Sequence, residues 1–148
     1  MPQTADAFLA ACDREGLKYL PPETTADGRR VIRLRVKGSH GNSFTVTYIF
    51  SPEGRDVSIR IFGLVTARRE ILHPVLHRCN LMNNRFRWVK FTLDEDWDLN
   101  LEADCILLPE TAGDVCLDML YRLVRTADAA YPQILSHYGS LNPDPGFM

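Results

Sequence analysis

Apolar residues recur along this chain with two different periods. Over TADAFLAACDREG, residues 4–16, they fall at helical spacing, with Phe8, Leu9 and Cys12 on one face. Thr4 is placed to cap this helix, Asp6 sits in its first turn, and Gly16 supplies a stop. The stretch PPETTADG is polar and turn-rich and reads as a connector. The period then drops to two. In RVIRLRVK, Ile32, Leu34 and Val36 alternate with Arg33, Arg35 and Lys37. In SFTVTYIF, Phe44, Val46, Tyr48 and Phe50 alternate with Thr45 and Thr47, and in RDVSIRIFGLV, Val57, Ile59 and Ile61 alternate with Ser58 and Arg60. Such alternation gives each strand one buried and one wet face. The links KGSHGNS and SPEG are short and carry Gly, Pro and Asn, so the strands pair as antiparallel hairpins.

A second helix is predicted over TARREILHPVLHRCNLMNNR, with Ile71, Val75, Cys79 and Met82 on its apolar face. Pro74 has no amide hydrogen, so it either kinks this helix or marks its true beginning. Two strands follow. FRWVKFTLD turns Val89, Phe91 and Leu93 inward, and WDLNLEADCILL turns Trp97, Leu99, Leu101, Ala103 and Cys105 inward. A long final helix carries Cys116, Met119, Leu120, Leu123, Ala127, Tyr131, Ile134 and Tyr138 along one stripe, with Pro132 as a kink or break. Residues 139–148, rich in Pro, Gly and Asn, are expected to form a mobile tail. The order is αβββαββα. It predicts an α+β fold in two layers, an antiparallel five-stranded sheet covered by helices on one face, in a single domain spanning 1–148.

The 148 residues suffice to bury a core without a staple. At 45% hydrophobic and 24% charged the composition is that of an ordinary globular protein. The net charge of -2 gives no general attraction to nucleic acid or to an anionic membrane. Cys12, Cys79, Cys105 and Cys116 form no CxxC pair and no dense framework. The N-terminal segment lacks a basic region and so is not read as a signal peptide, and no apolar run reaches the roughly 20 residues of a membrane span. The expectation is a soluble, reduced, cytoplasmic protein.

Candidate chemistry is sparse. FTLDEDWDLNLEAD sets Asp94, Asp96 and Asp98 at alternate positions, as the first half of a calcium loop does. Counted from Asp94, however, the glycine position is Leu99 and the bidentate glutamate position is Cys105. A solvated hairpin turn accounts for these acids better, with Asp98 opening the wet face of the next strand. His73 and His77 stand four apart near Cys79, a spacing that binds zinc on a regular helix, but the glutamate of HExxH is missing and Pro74 intervenes. His40 and His137 are tied to no nucleophile. GxSxG, SxxK and GxGxxG are absent, and KGSHGNS lacks the lysine-serine end of a phosphate loop. Arg33, Arg35 and Lys37 are a candidate phosphate-binding set, but a basic strand alternating with apolar residues reads as a solvated face; the wet face of WDLNLEAD carries Asp98, Glu102 and Asp104, and opposite charges that meet across the sheet add little each. No catalytic residue, cofactor or metal is therefore expected. In NLMNNR, Asn80, Asn83 and Asn84 crowd a helix end, where asparagine amides satisfy free backbone groups.

The helix ending NLMNN, the aromatic strand RFRWVKF, the acidic turn, the second strand and the long helix with AAYPQIL together resemble the YbjN-like proteins of bacteria. The resemblance covers roughly residues 4–138. Its most specific part is the asparagine pair before the basic-aromatic strand, supported by Tyr131-Pro132; Pro74 departs from it. The resemblance implies the fold of type III secretion chaperones, which are small dimers that bind unfolded segments of secreted effectors without ATP. Members of the family carry the label of sensory transduction regulators. Secretion chaperones tend to be strongly acidic, and this chain is only mildly so.

The expectation is thus a non-enzymatic interaction module, regulatory or chaperone-like, that binds a peptide or protein partner. The alternatives are a dedicated effector chaperone, and a small-ligand binder or enzyme built from scattered residues. A homodimer is implied by the family fold and by surplus apolar residues on the last helix, Val115, Leu117 and Val124. For the partner surface, Ile49, Phe62, Leu64 and Trp88 fall out of phase with the buried sets and are expected on the wet face; the competing reading is that a helix or a dimer mate covers this patch. Trp88, beside Arg87 and Lys90, is the best single candidate.

Overall fold

The computed structural model describes the backbone of residues 3–141 and the side chains of residues 3–134. The elements run α1 (Gln3–Arg14), β1 (Glu23–Thr24), β2 (Arg30–Lys37), β3 (Ser43–Phe50), β4 (Asp56–Thr66), a 3-10 turn (Arg69–Ile71), α2 (Leu72–Arg85), β5 (Lys90–Leu93), β6 (Asp98–Ile106) and α3 (Ala112–Leu141). One antiparallel sheet has the order β1-β2-β3-β4-β6-β5. The sheet therefore has six strands, not five. The extra one, β1, lies in the segment that its polar composition marks as a connector; Glu23 pairs with Val31 and Thr24 with Arg30, and both β1 residues are exposed. A two-residue edge strand carries no periodicity, so no sequence pattern announces it.

Alternation sorts the side chains as expected. Ile32, Leu34, Phe44, Val46, Tyr48, Phe50, Val57, Ile59, Ile61, Leu99, Leu101 and Ala103 are buried on one face. The helices cover that face. Phe8 of α1 meets Tyr48 at 4.2 Å between ring centres, and the Tyr48 hydroxyl donates to the carbonyl of Cys116 on α3 at 2.8 Å. Ile71, Val75, Cys79 and Met82 join the same core from the second helical segment. Burial pushes the thiols of Cys12 and Cys79 up to about 11 and raises that of Cys116 further. All four cysteines are free.

Several local expectations are corrected. Thr4 lies inside α1 rather than capping it, and its hydroxyl donates to the Gly54 carbonyl at 2.7 Å, tying the helix to the β3–β4 hairpin. Pro74 sits in the first turn of α2, where its missing amide breaks no hydrogen bond, so it marks the beginning of the helix. Pro132 does not end α3, which runs on to Leu141 and so three residues into the expected tail. The strand expected over FRWVKFTLD is paired only at Lys90–Leu93. Leu117, counted as a surplus apolar residue, is buried in the core, while Val115 and Val124 are half-buried. The side chains of His137 and Tyr138, and the tail beyond Leu141, lie outside the described residues.

Candidate functional site

The uncovered face of the sheet is a charged ladder. Arg33 bonds Glu23 at 2.6 Å, and Arg60 bonds Asp104 at 2.9 Å with Glu102 at 4.0 Å. The register sets Arg33, Thr47, Arg60, Glu102 and Lys90 in one row across five strands. Ile49 stands beside Val31 and Ser58, on one side of that row. Phe62 stands on the other side, four residues further along β4, so about 13 Å separate it from Ile49. The row of charges between them breaks the expected apolar group.

Phe62 and Leu64 do come together. Between Ile61 and Val65 the register of β4 shifts, and Gly63 takes φ +65 with its amide on the Asn100 side chain at 2.8 Å. An L side chain is strained at that φ, whereas glycine is not. The bulge opens a recess of about 220 Å³ lined by Phe44, Thr45, Phe62, Leu64, Tyr131 and Asn42. Phe62 remains 57% exposed on its rim, and Phe44 meets Tyr131 edge-on at 6.2 Å. Both polar atoms of the Asn42 amide are buried without a protein partner among the described residues.

Trp88 belongs to another surface. It precedes β5 at φ 77, and its ring is flanked by the guanidinium groups of Arg87 at 5.1 Å and Arg122 at 5.3 Å. Arg122 is on α3, so Trp88 stands on the helix side of the sheet, away from Ile49. With Cys105, Val115, Met119, Asp104 and Asp118 it lines a recess of about 330 Å³. A further recess of about 440 Å³ runs past Ile106, Leu107 and Leu108 to the start of α1. Ile106 is 88% exposed and Leu108 60% exposed. Neither was singled out from sequence, yet Ile106 breaks the polar phase of its strand just as Ile49 does, so the signal was there.

The other candidate groups resolve into structure. Asp94 is a turn residue: its Oδ1 accepts from the amides of Asp96 and Asp98 at 2.9 and 3.0 Å, and its Oδ2 from the Asn100 side chain at 2.8 Å. These bonds, that of Asn100 first, hold its carboxyl below the usual range. Cys79 points into the core while His73 and His77 are exposed, so the three do not converge. No group of three His, Cys, Asp or Glu is placed to hold a metal among the described residues. Asn83 receives the Phe91 amide at 2.6 Å and donates to the Phe91 carbonyl at 3.1 Å, which satisfies the outward groups of Phe91 on β5. Asn80 is exposed.

Among the described residues, three helices on one face of a six-stranded antiparallel sheet make an α+β fold. The chain belongs to the YbjN family, whose model, described as "Putative bacterial sensory transduction regulator", matches residues 4–136. Two solved structures share the fold. One is YbjN from E. coli, named there "a putative transcription regulator", at 12% identity and TM-score 0.59, covering 87% of this chain and 92% of that one. The other is the ExsC-ExsE complex, at 16% identity and TM-score 0.55, covering 89% of this chain and 96% of that one. Among curated proteins none matches. No helix of the described residues is long and apolar enough to cross a membrane.

Proposed function

We propose that this protein is a non-enzymatic cytoplasmic module, regulatory or chaperone-like, that binds another protein through the recess beside Phe62. The observation that carries the reading is a large ring, 57% exposed, at a recess whose lining combines the aromatic Phe44 and Tyr131 with the amide of Asn42 and the hydroxyl of Thr45. A partner side chain inserted there gains apolar contact and a few directed hydrogen bonds, the usual make-up of a binding hot spot. Leu64 supports the wall, and Ile49 contributes from a separate spot on the same face. The ExsC structure, solved with ExsE, supports a protein as the partner. A small polar ligand in the same recess is the second reading, favoured by the unpartnered amide of Asn42.

The test is capture from the native host by parent and Phe62→Ala protein, with circular dichroism and mass by light scattering as controls. The proposal expects an unchanged fold and mass, and at least a tenfold loss of the captured protein, since a hot-spot ring contributes about 2 kcal/mol or more. Equal capture by the two proteins sinks it.

A further inference from the structure

The β2–β3 hairpin turns at the wall of the Phe62 recess. Gly38 donates to the Asn42 carbonyl at 2.8 Å, and residues 39–41 form the tip, with Gly41 at φ 79. Asp128 on α3 holds that tip, accepting from the Ser39 amide at 2.8 Å and from the Ser39 hydroxyl. Beneath it the packing is tight: a Cβ on Gly38 would sit 2.5 Å from Asn42 Oδ1 and 3.0 Å from both Asp128 Oδ1 and the Phe44 ring. Asn42 is among the residues that line the recess. Its Oδ1 and Nδ2 are nevertheless sealed from solvent, and neither has a hydrogen-bond partner among the described residues. A donor and an acceptor left side by side in this way cost free energy until a matching acceptor and donor reach both.

We propose that, with the Phe62 recess read as the docking site, the group it takes is the side-chain carboxamide of a glutamine or asparagine on the partner protein, paired edge to edge with Asn42 once Ser39 leaves Asp128. A primary carboxamide carries an N–H and a C=O on one edge, so two such edges close two hydrogen bonds at once. A carboxylate only accepts, and an ammonium or guanidinium group only donates, so each leaves one atom of Asn42 unmet. One extended main-chain residue also presents both groups, as Phe91 does to Asn83. It needs chain running on past both sides, however, and the floor at Gly38 has no room for one added carbon. A side-chain amide ends its own stalk. The methylenes of that stalk lie along Phe44, Tyr131 and Phe62, which adds apolar contact. Ser39 and Asp128 form the latch. While they are bonded Asn42 is shut in, so the apparent affinity is reduced by the fraction of molecules in which the tip is lifted.

The test is titration of the parent with benzamide, benzoate and N-acetylalanine methylamide at millimolar concentration, read on the backbone amide resonances of Phe44 and Gly63. Benzamide should bind roughly tenfold more tightly than either of the others, the carboxylate for want of a donor and the dipeptide analogue for want of room. Asn42→Leu, with an unchanged circular dichroism spectrum, should lose that preference. Asp128→Ala should free the Ser39 amide to exchange with deuterium and should bind benzamide several-fold more tightly. The comparison on the parent needs no folded variant. Equal affinity for the three probes overturns the proposal, as does Asp128→Ala protein that binds benzamide no more tightly than the parent. A preference for the dipeptide analogue overturns it too, and would assign the site to main chain. Phe62-dependent capture of a protein, with no preference for benzamide, would overturn the amide pair alone. A benzamide preference with equal capture by parent and Phe62→Ala protein would overturn the protein partner alone.

Discussion

Asn83 does the work of a missing strand. Its amide closes both ladder groups of Phe91, so Asn83→Ala strands a donor and an acceptor at a partly covered edge. The expected cost is about 1–3 kcal/mol in chemical denaturation, whereas Asn80→Ala, on an exposed position, should stay within about 0.5 kcal/mol of the parent. Asp94 gives a pH signature. Hydrogen bonds from Asn100 and from the amides of Asp98 and Asp96 lower its folded pKa below the ordinary 3.8. On acidification the unfolded chain takes up this proton first. The stabilisation is therefore complete above 3.8 and is lost as pH falls through the folded value. Asp94→Asn should be less stable than the parent at pH 7 and should flatten the decline of stability below pH 4, measured as urea midpoints across pH 2–7. Equal acid slopes in the two proteins would count against this role. At this scale the sequence was partly legible: asparagines at a helix end announce a backbone partner, but which of them finds one depends on where the next strand passes.

The helices and strands hold together by close contacts between elements. Gly113, in the first turn of α3, lies against α1, where an added Cβ would sit 2.8 Å from the Ala7 carbonyl oxygen and 3.2 Å from the Ala11 methyl. Backbone cannot yield as a flexible side chain does, so Gly113→Ala should push the helices apart and cost about 1–3 kcal/mol despite alanine's better helix propensity. Thermal melts would show it; a variant as stable as the parent would mean that α1 is free to move. The β2–β3 hairpin is pinned to α3 as well, because Asp128 accepts from the Ser39 amide at 2.8 Å and from its hydroxyl. Periodicity predicted these elements well, since each follows from residues adjacent in sequence. Their junctions involve residues about 90 or 100 positions apart and left no local mark.

Across the whole molecule one core runs from Phe8 through Tyr48 and Leu101 to Ile134. Unfolding should therefore be a single transition, with near- and far-ultraviolet circular dichroism melting together at fixed concentration; a separate early loss of the near-ultraviolet signal would show that one layer detaches. The sequence by itself determined the helices, the strands other than β1 and the inward side of those strands, and it carries no catalytic motif, because periodicity and motif spacing are local properties. Tertiary structure alone decided the strand order, which puts β6 between β4 and β5. It decided that Trp88 stands with α3 while Phe62 opens a recess behind a bulge. Four residues out of phase look alike in a sequence. Which surface each reaches depends on left-handed turns at Gly63 and Trp88, and those turns are held by contacts with distant strands and helices.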